Sequence, residues 1–377
     1  MLNRRHFALA ATGSALLASF QTVRAQSEGT LVLGQSAPFT GLAAQLGIQF
    51  HQGAKIAFDQ SNALGGVNRQ KIEIRQIDDG YEPARCAENT RKLLADGVFA
   101  LFGYIGTSTS LAALPMMTAE KVPFIAPFTG AMALRDPANR TTFHLRASYN
   151  DETALIVQHL VTLDMNKIGV FYQNDAYGKA GLEGVKLALA AKNFKTAAEA
   201  TVERNSVDVL PAVKTLIAAS PHAIVQVGTY QACAAFIREA RKAGYGGEFY
   251  NLSFVGTRAL SDELGKDAAG VQISQVMPSP YKSTLAVVRD FAEAVKAAGN
   301  NASANYSSLE GFMAARFFME GLKRAGTKAT RESFVGGMQS IGNQSLGGFG
   351  VALSTTSHVA SKFVELSMLS GDGRVRT

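Results

Sequence analysis

Val98-Phe99-Ala100-Leu101-Phe102-Gly103-Tyr104-Ile105-Gly106-Thr107-Ser108-Thr109-Ser110 passes from an apolar run into a cluster of hydroxyls. Residues 98–102 read as a buried strand closed by Gly103, and Thr107 to Ser110 offer caps for a helix reaching about Ala119. The same unit recurs on either side. Upstream, 30–34 reads as a strand, 47–63 as a helix ending at Gly65-Gly66, 71–77 as a strand and 83–96 as a helix with Gly97 behind it. Downstream, 122–125 is a strand broken at Pro127. Beyond residue 150 the rhythm restarts, with helices over 151–163, 178–191, 207–219 and 231–243. The strands between them fall at 167–172, 196–202, 223–227 and 248–252. Alternation of this kind predicts parallel sheets covered by helices on both faces. Two successive series predict an α/β fold of two doubly wound parallel-sheet lobes, each opening at the carboxyl ends of its strands.

The end of the chain is less regular. A short strand over 271–276 leads into Met277-Pro278-Ser279-Pro280, helices follow over 285–298 and 308–325, and 361–369 is a late strand with no helix after it. A strand so far from its own series predicts that the chain crosses between lobes more than once. Several crossings make a hinge, because each absorbs a backbone rotation while the lobes move as rigid bodies.

Length and composition agree. The 377 residues suffice for two cores, and 47% hydrophobic with 18% charged residues excludes disorder, collagen and coiled coil. A net charge of +7 suggests nucleic acid or membrane, but part of it belongs to an export signal. Arg4 and Arg5 precede a short apolar run over 8–20, and Val23-Arg24-Ala25 supplies small residues for cleavage after Ala25. Arg4-Arg5-His6-Phe7-Ala8-Leu9 also fits a twin-arginine signal, so the Sec and twin-arginine routes both stand. Loss of Arg4, Arg5 and Arg24 lowers the net charge from +7 to +4, with no basic run left. Nucleic acid is therefore not an expected partner.

Enzymatic signatures are missing. Gly34-Gln35-Ser36-Ala37-Pro38 is no dinucleotide turn, Gly103 to Ser108 lacks the phosphate-loop lysine, and no nucleophile elbow occurs. His51, His144, His159, His222 and His358 are scattered, and no metal-ligand spacing is present, so neither metal nor cofactor is expected. What recurs is hydroxyl and glycine at strand ends: Phe39-Thr40-Gly41, Gly103 to Ser110, and Phe128-Thr129-Gly130. Each alone reads as plain capping; three in one lobe read as a cleft for an anion such as a carboxylate. An exported hydrolase or dehydrogenase on the same architecture is the competing class.

Further stretches carry a family resemblance: Gly34 to Gly41, Asn62-Ala63-Leu64-Gly65-Gly66-Val67, Asp78-Asp79 and Val122-Pro123-Phe124-Ile125-Ala126-Pro127. Gln173-Asn174-Asp175-Ala176-Tyr177-Gly178 and Arg238-Glu239-Ala240-Arg241-Lys242-Ala243-Gly244 continue it. In this order the chain resembles the leucine/isoleucine/valine-type substrate-binding proteins of ABC importers. The resemblance implies a type I periplasmic-binding-protein fold with a three-segment hinge and the ligand held between lobes. It divides the chain into a signal at 1–25, a first lobe of 26–148 plus 278–357, and a second of 149–277 plus 358–377. It also implies a periplasmic monomer that delivers its ligand to a membrane permease; a sensor feeding a regulator would look the same.

Carried over by residue, the resemblance places a ligand carboxylate on Thr107 and on Phe128 and Thr129, the latter two largely through backbone N–H groups. Tyr177 closes over the ligand, Thr229, Tyr230 and Ser253 face it from the second lobe, and Phe312 lines the cleft. The family holds an ammonium with an acidic residue where this chain has Ser253. Asp151, which also starts a helix, and Glu310 are the candidate substitutes. A buried ammonium without a carboxylate costs about 3–5 kcal/mol, so an amine-free carboxylate or amide, with an aromatic body suited to Phe128, Phe312 and Tyr177, fits as well as an amino acid. Cys86 and Cys233 would lie in different lobes, where a bond would lock the hinge, so both are expected to be unpaired.

Overall fold

The computed structural model describes residues 29–299 and 302–377; the expected signal and its cleavage site lie outside them. In the first lobe, β1 (Thr30–Ala37), α1 (Ala44–Ala63), β2 (Lys71–Asp78), α2 (Pro83–Ala95), β3 (Ala100–Phe102), α3 (Thr107–Ala119), β4 (Phe124–Ile125) and β5 (Thr142–Phe143) follow one another. The strands are parallel in the order β2-β1-β3-β4-β5. β1 continues past the expected Gly34 because its polar residues find partners: Gln35 Nε2 donates to Gly103 O at 3.1 Å and Ser36 Oγ to Asp79 at 2.8 Å. With those bonds made, pairing with β2 extends to Ala37 opposite Asp78.

The second lobe contains α4 (Tyr149–Thr162), β6 (Ile168–Gln173), α5 (Ala176–Ala190), β7 (Ala198–Val202), α6 (Leu210–Ala218), β8 (Ala223–Val227), α7 (Tyr230–Lys242), β9 (Glu248–Asn251), α8 (Thr257–Leu264) and β10 (Gln272–Gln275). Its parallel core, β7-β6-β8-β9-β10, repeats the permutation of the first sheet. The chain then returns to the first lobe as α9 (Ala286–Ala298), α10 (Tyr306–Ala325), α11 (Arg331–Gln339) and the hairpin β11 (Asn343–Leu346) with β12 (Phe349–Ala352). α10 lies along α1, and Arg331 of α11 donates to the backbone of Val98 and Phe99 before β3. Finally β13 (Glu365–Leu369) adds antiparallel to β10, and β14 (Val375–Arg376) to β13.

The chain therefore passes between the sheets three times: after β5, after β10 and before β13. The first and third crossings are stitched together, with His144 N donating to His358 O and Ala360 N to His144 O, both at 2.8 Å. Among the described residues no helix is long and apolar enough to cross a membrane. Cys86 and Cys233 are both buried and free, on α2 and α7.

Candidate functional site

The carboxyl ends of the parallel strands face each other, and the turns leaving them build the cleft. Gly106 caps α3 at φ +101°, a conformation that favours glycine, and a Cβ there would come within 2.6 Å of the Tyr81 ring. This tight turn sets Thr107 at the first position of α3, buried, with Oγ1 2.7 Å from Thr129 Oγ1. Nearby hydroxyls of the same buried region, Ser110 Oγ, Tyr81 OH and Tyr149 OH, meet no partner with hydrogen-bond geometry among the described residues, although Gln173 and Thr129 lie close enough to Tyr81 and Tyr149 to favour their ionised forms. Burial raises the Tyr149 phenol to about 12, so it stays a donor at any physiological pH.

The structure brings Thr107 and Thr129 together but corrects the expected use of backbone N–H groups. Phe128 N already donates to Tyr104 O at 2.8 Å, because residues 105 and 128 pair as a parallel bridge, and Thr129 N donates within its own turn to Pro127 O at 2.8 Å. The Phe128 ring lies between the Arg146 guanidinium, 4.2 Å from its centroid, and the ring of Phe254, 5.6 Å away. From the second lobe Tyr177 is fully buried, its ring 4.4 Å from Phe254 and 5.4 Å from Tyr149. Thr229 caps α7 and Tyr230 begins it, with the Tyr230 hydroxyl 3.5 Å from Gln45 N of the first lobe. Phe254 is the plug between these rings, and the space left at the base of the cleft is about 10 Å³, lined by Phe128, Arg146, Ser253, Gln275 and Glu310 among others.

Neither candidate for an ammonium partner is free. Asp151 forms a capping box with Ser148 at the start of α4, its Oδ2 2.9 Å from Ser148 N. Glu310 is paired with Arg146, Oε1 to Nε at 2.9 Å, both side chains buried. Ser253 is held by Glu152, which accepts from its N at 2.8 Å and its Oγ at 3.0 Å, and by Arg146 Nη2 at 3.1 Å. Phe312 is not in the cleft group: its ring packs 5.3 Å from Phe291 of α9 and 5.8 Å from the Arg316 guanidinium. α10 turns this residue toward α9, whereas Glu310, two positions earlier, faces Arg146.

Arg146 and Glu152 were not expected at the site. Burial pushes the carboxyls of Glu152 and Glu310 above their usual range, against the pull of Arg146 between them. Burial disfavours the Arg146 charge, but Glu310 and Glu152 more than offset that and raise its pKa. Glu152 shares the buried stripe of α4 with Ile156 and Leu160, so a charge in an apolar period was the available signal. Arg146 lies in a crossing segment with no period to betray it.

At the lips, Arg204 pairs with Asp175, donates to Tyr81 O and lies 4.2 Å over the Tyr81 ring. Ser108 Oγ donates to Asp175 at 2.9 Å and Asn205 Nδ2 to Gly80 O at 3.2 Å, so both lobes contribute to the closed edge. No cluster of three or more potential metal-ligating side chains exists among the described residues.

Two wound lobes on a three-strand hinge, meeting over a buried set of hydroxyls and rings, define a two-lobed ligand-binding protein. A family model described as "Periplasmic binding protein" matches residues 30–370, and the chain belongs to that family. It is of the type I, leucine/isoleucine/valine kind. A solved structure of a possible leucine/isoleucine/valine-binding protein from Rhodopirellula baltica SH 1 is similar, with TM-score 0.89, 31% identity and coverage of 93% of this chain and 96% of that one. A substrate-binding periplasmic protein from Ralstonia solanacearum superposes with TM-score 0.86 and 31% identity, covering 92% and 99%. The Leu/Ile/Val-binding protein homolog 7 of Brucella abortus (strain 2308) is 22% identical over 326 residues, 82% of this chain and 80% of its own.

Proposed function

We propose that the chain captures a small amine-free carboxylate, with an aromatic or branched apolar body, between its lobes and presents it to the permease of an ABC importer without chemical change. One observation carries this reading. The buried hydroxyls of Ser110, Tyr81 and Tyr149 meet no partner with hydrogen-bond geometry, while the nearby carboxylates of Asp175, Glu152 and Glu310 are all engaged within the protein. These hydroxyls can donate to a carboxylate, and none of those three acids is free to hold an ammonium. The Phe128, Tyr177 and Phe254 rings supply the apolar wall. Phe254 must move, or the lobes part, before a ligand of that size enters.

A thermal-shift screen of aromatic acids, branched aliphatic acids, amides and leucine-like amino acids tests the reading, since a ligand stabilises by RT ln(1 + [L]/Kd). Amine-free acids are expected to give the largest shifts. Calorimetry on Thr107→Ala should then show affinity weakened by about 1–3 kcal/mol, the value of a hydrogen bond to a charged group with its burial term. Strong shifts from leucine-like amino acids alone would overturn the choice of ligand, and unchanged affinity in Thr107→Ala would remove that hydroxyl from the site.

A further inference from the structure

A second pocket of about 270 Å³ lies against the hinge, away from the cleft rings, with Arg135, Arg140, Thr142, His144, Thr356 and His358 in its wall. Its chemistry is that of an anion site. No acid pairs with Arg135 or Arg140 at ion-pair distance among the described residues, and Asp136, also in the wall, has its carboxylate turned to Ala138 N at 2.8 Å. Arg135 donates through Nη2 to Arg146 O and Ala147 O, both at 2.9 Å, while its Nε and Nη1 are buried without partners. Thr142 and His144 are each 1% exposed, and Thr142 Oγ1 and His144 Nδ1 also lack partners. Unpartnered buried polar atoms cost about 1–3 kcal/mol each, so four on three side chains of one pocket's wall call for a common explanation.

His144 narrows the ligand further. Its Nε2 lies 3.0 Å from Leu134 O, a carbonyl that only accepts, so Nε2 carries the ring proton. Burial, with Arg135 beside it, keeps the ring neutral. Nδ1 is then a lone pair, and it accepts from a ligand that still bears a proton. We propose that this pocket is a second ligand site for a small oxyanion that keeps one proton, hydrogen phosphate in its simplest form. Arg135 and Arg140 meet its charge, the Thr142 and Thr356 hydroxyls its remaining oxygens, and His144 Nδ1 its P–O–H. Sulfate has no proton at neutral pH and presents an oxygen to that lone pair. Because the wall includes His144 and residues 355–359, which the His144–His358 and Ala360–His144 bonds join, an ion bound there rests on two of the three hinge segments.

The test is calorimetric titration of the exported-length chain with inorganic phosphate at pH 7, beside sulfate and chloride at matched ionic strength. Saturable phosphate binding with a preference over sulfate of about tenfold or more is expected, the worth of one hydrogen bond made against one opposed. Arg140→Gln, at an exposed position, and Thr142→Val, nearly isosteric, should each weaken phosphate by about tenfold while circular dichroism stays unchanged. Thr107→Ala should leave phosphate binding intact, which keeps this site separate from the cleft. A response equal for all three anions, or one retained in both pocket variants, or one lost in Thr107→Ala, overturns the proposal.

Discussion

Asp78 and Asp79 stand side by side at the end of β2 and titrate in opposite directions. Burial works to raise Asp78, but donation from Phe39 N, the Thr40 hydroxyl, Gly80 N and Arg85 outweighs it and holds the carboxyl near 2. Asp79 is buried more deeply, and that burial lifts it to about 6 despite donation from Ser36 and Tyr81 N. A carboxyl raised in the folded state contributes stability below its unfolded pKa and loses it as pH rises through the folded value. Asp79 should therefore cost about 3 kcal/mol as pH goes from 4 to above 6, at roughly 1.4 kcal/mol per pK unit. Asp78 acts only below that window. Urea denaturation across pH 4–7.5 should show Asp79→Asn with a flatter profile than the parent; parallel profiles would refute the assignment. Glu310→Gln tests a different buried charge. It leaves Arg146 without its ion-pair partner, a loss expected to reach about 3–5 kcal/mol in the same assay, and a change under about 1 kcal/mol would show that Glu152 alone suffices for Arg146. How much of the site was legible follows the same line. The strand-end positions of Thr107 and Thr129 were readable because hydroxyls at strand ends follow a local rule. Arg146 and Glu152 were not, because the partners of their side-chain hydrogen bonds lie 107 or more residues away for Arg146 and 101 or more for Glu152. Asp151 was readable as a cap, and that is what it is.

At the scale of elements, the amphipathic helices and apolar strands of both series were legible from periodicity. The short ones were not. α8 and α11 run only eight and nine residues, β11 and β12 only four each, and β5 is two residues held by β4, so each offers too few positions for a period to be recognised. Spacing also gave no hint that α1 and α10 touch through their backbones. A Cβ on Gly53 would fall 1.8 Å from Ser308 O, and one on Gly311 would fall 1.9 Å from Phe50 O. Each helix thus presents a glycine to the other's carbonyl, an approach that larger residues forbid. Gly311→Ala should destabilise by about 2–3 kcal/mol or more, because neither backbone can give way without moving a whole helix. Gly336, on α11 with open space around its Cβ position, is the control, and Gly336→Ala should be neutral or stabilising by up to about 1 kcal/mol. Equal losses in the two variants would point to helix-wide effects instead of contact between the backbones.

For the whole molecule, the proposed capture of a ligand rests on the balance between closed and open lobes, and the closed edge is built from few groups. Arg204 of the second lobe covers the Tyr81 ring and donates to Tyr81 O of the first, and Asn205 reaches Gly80 O and, at 2.5 Å, Glu82 Oε1. These contacts form without ligand atoms, so they favour closure on their own account. A ligand that binds only the closed state has its apparent affinity multiplied by the fraction of closed protein. Removing the latch lowers that fraction while leaving the Thr107–Thr129 donors untouched. Arg204→Ala loses a stacked guanidinium and a cross-lobe hydrogen bond, together about 1–3 kcal/mol. Affinity for the cleft ligand should fall by roughly five- to a hundredfold on that basis, mainly through faster release, since the open lobes still admit ligand at the same rate. Small-angle scattering of the unliganded variant should show a larger radius of gyration than the parent, and saturating ligand should bring the two together. If affinity fell while the unliganded radius stayed the same, Arg204 would be touching the ligand itself, and the latch would have to be sought in Asn205 and Ser108 alone.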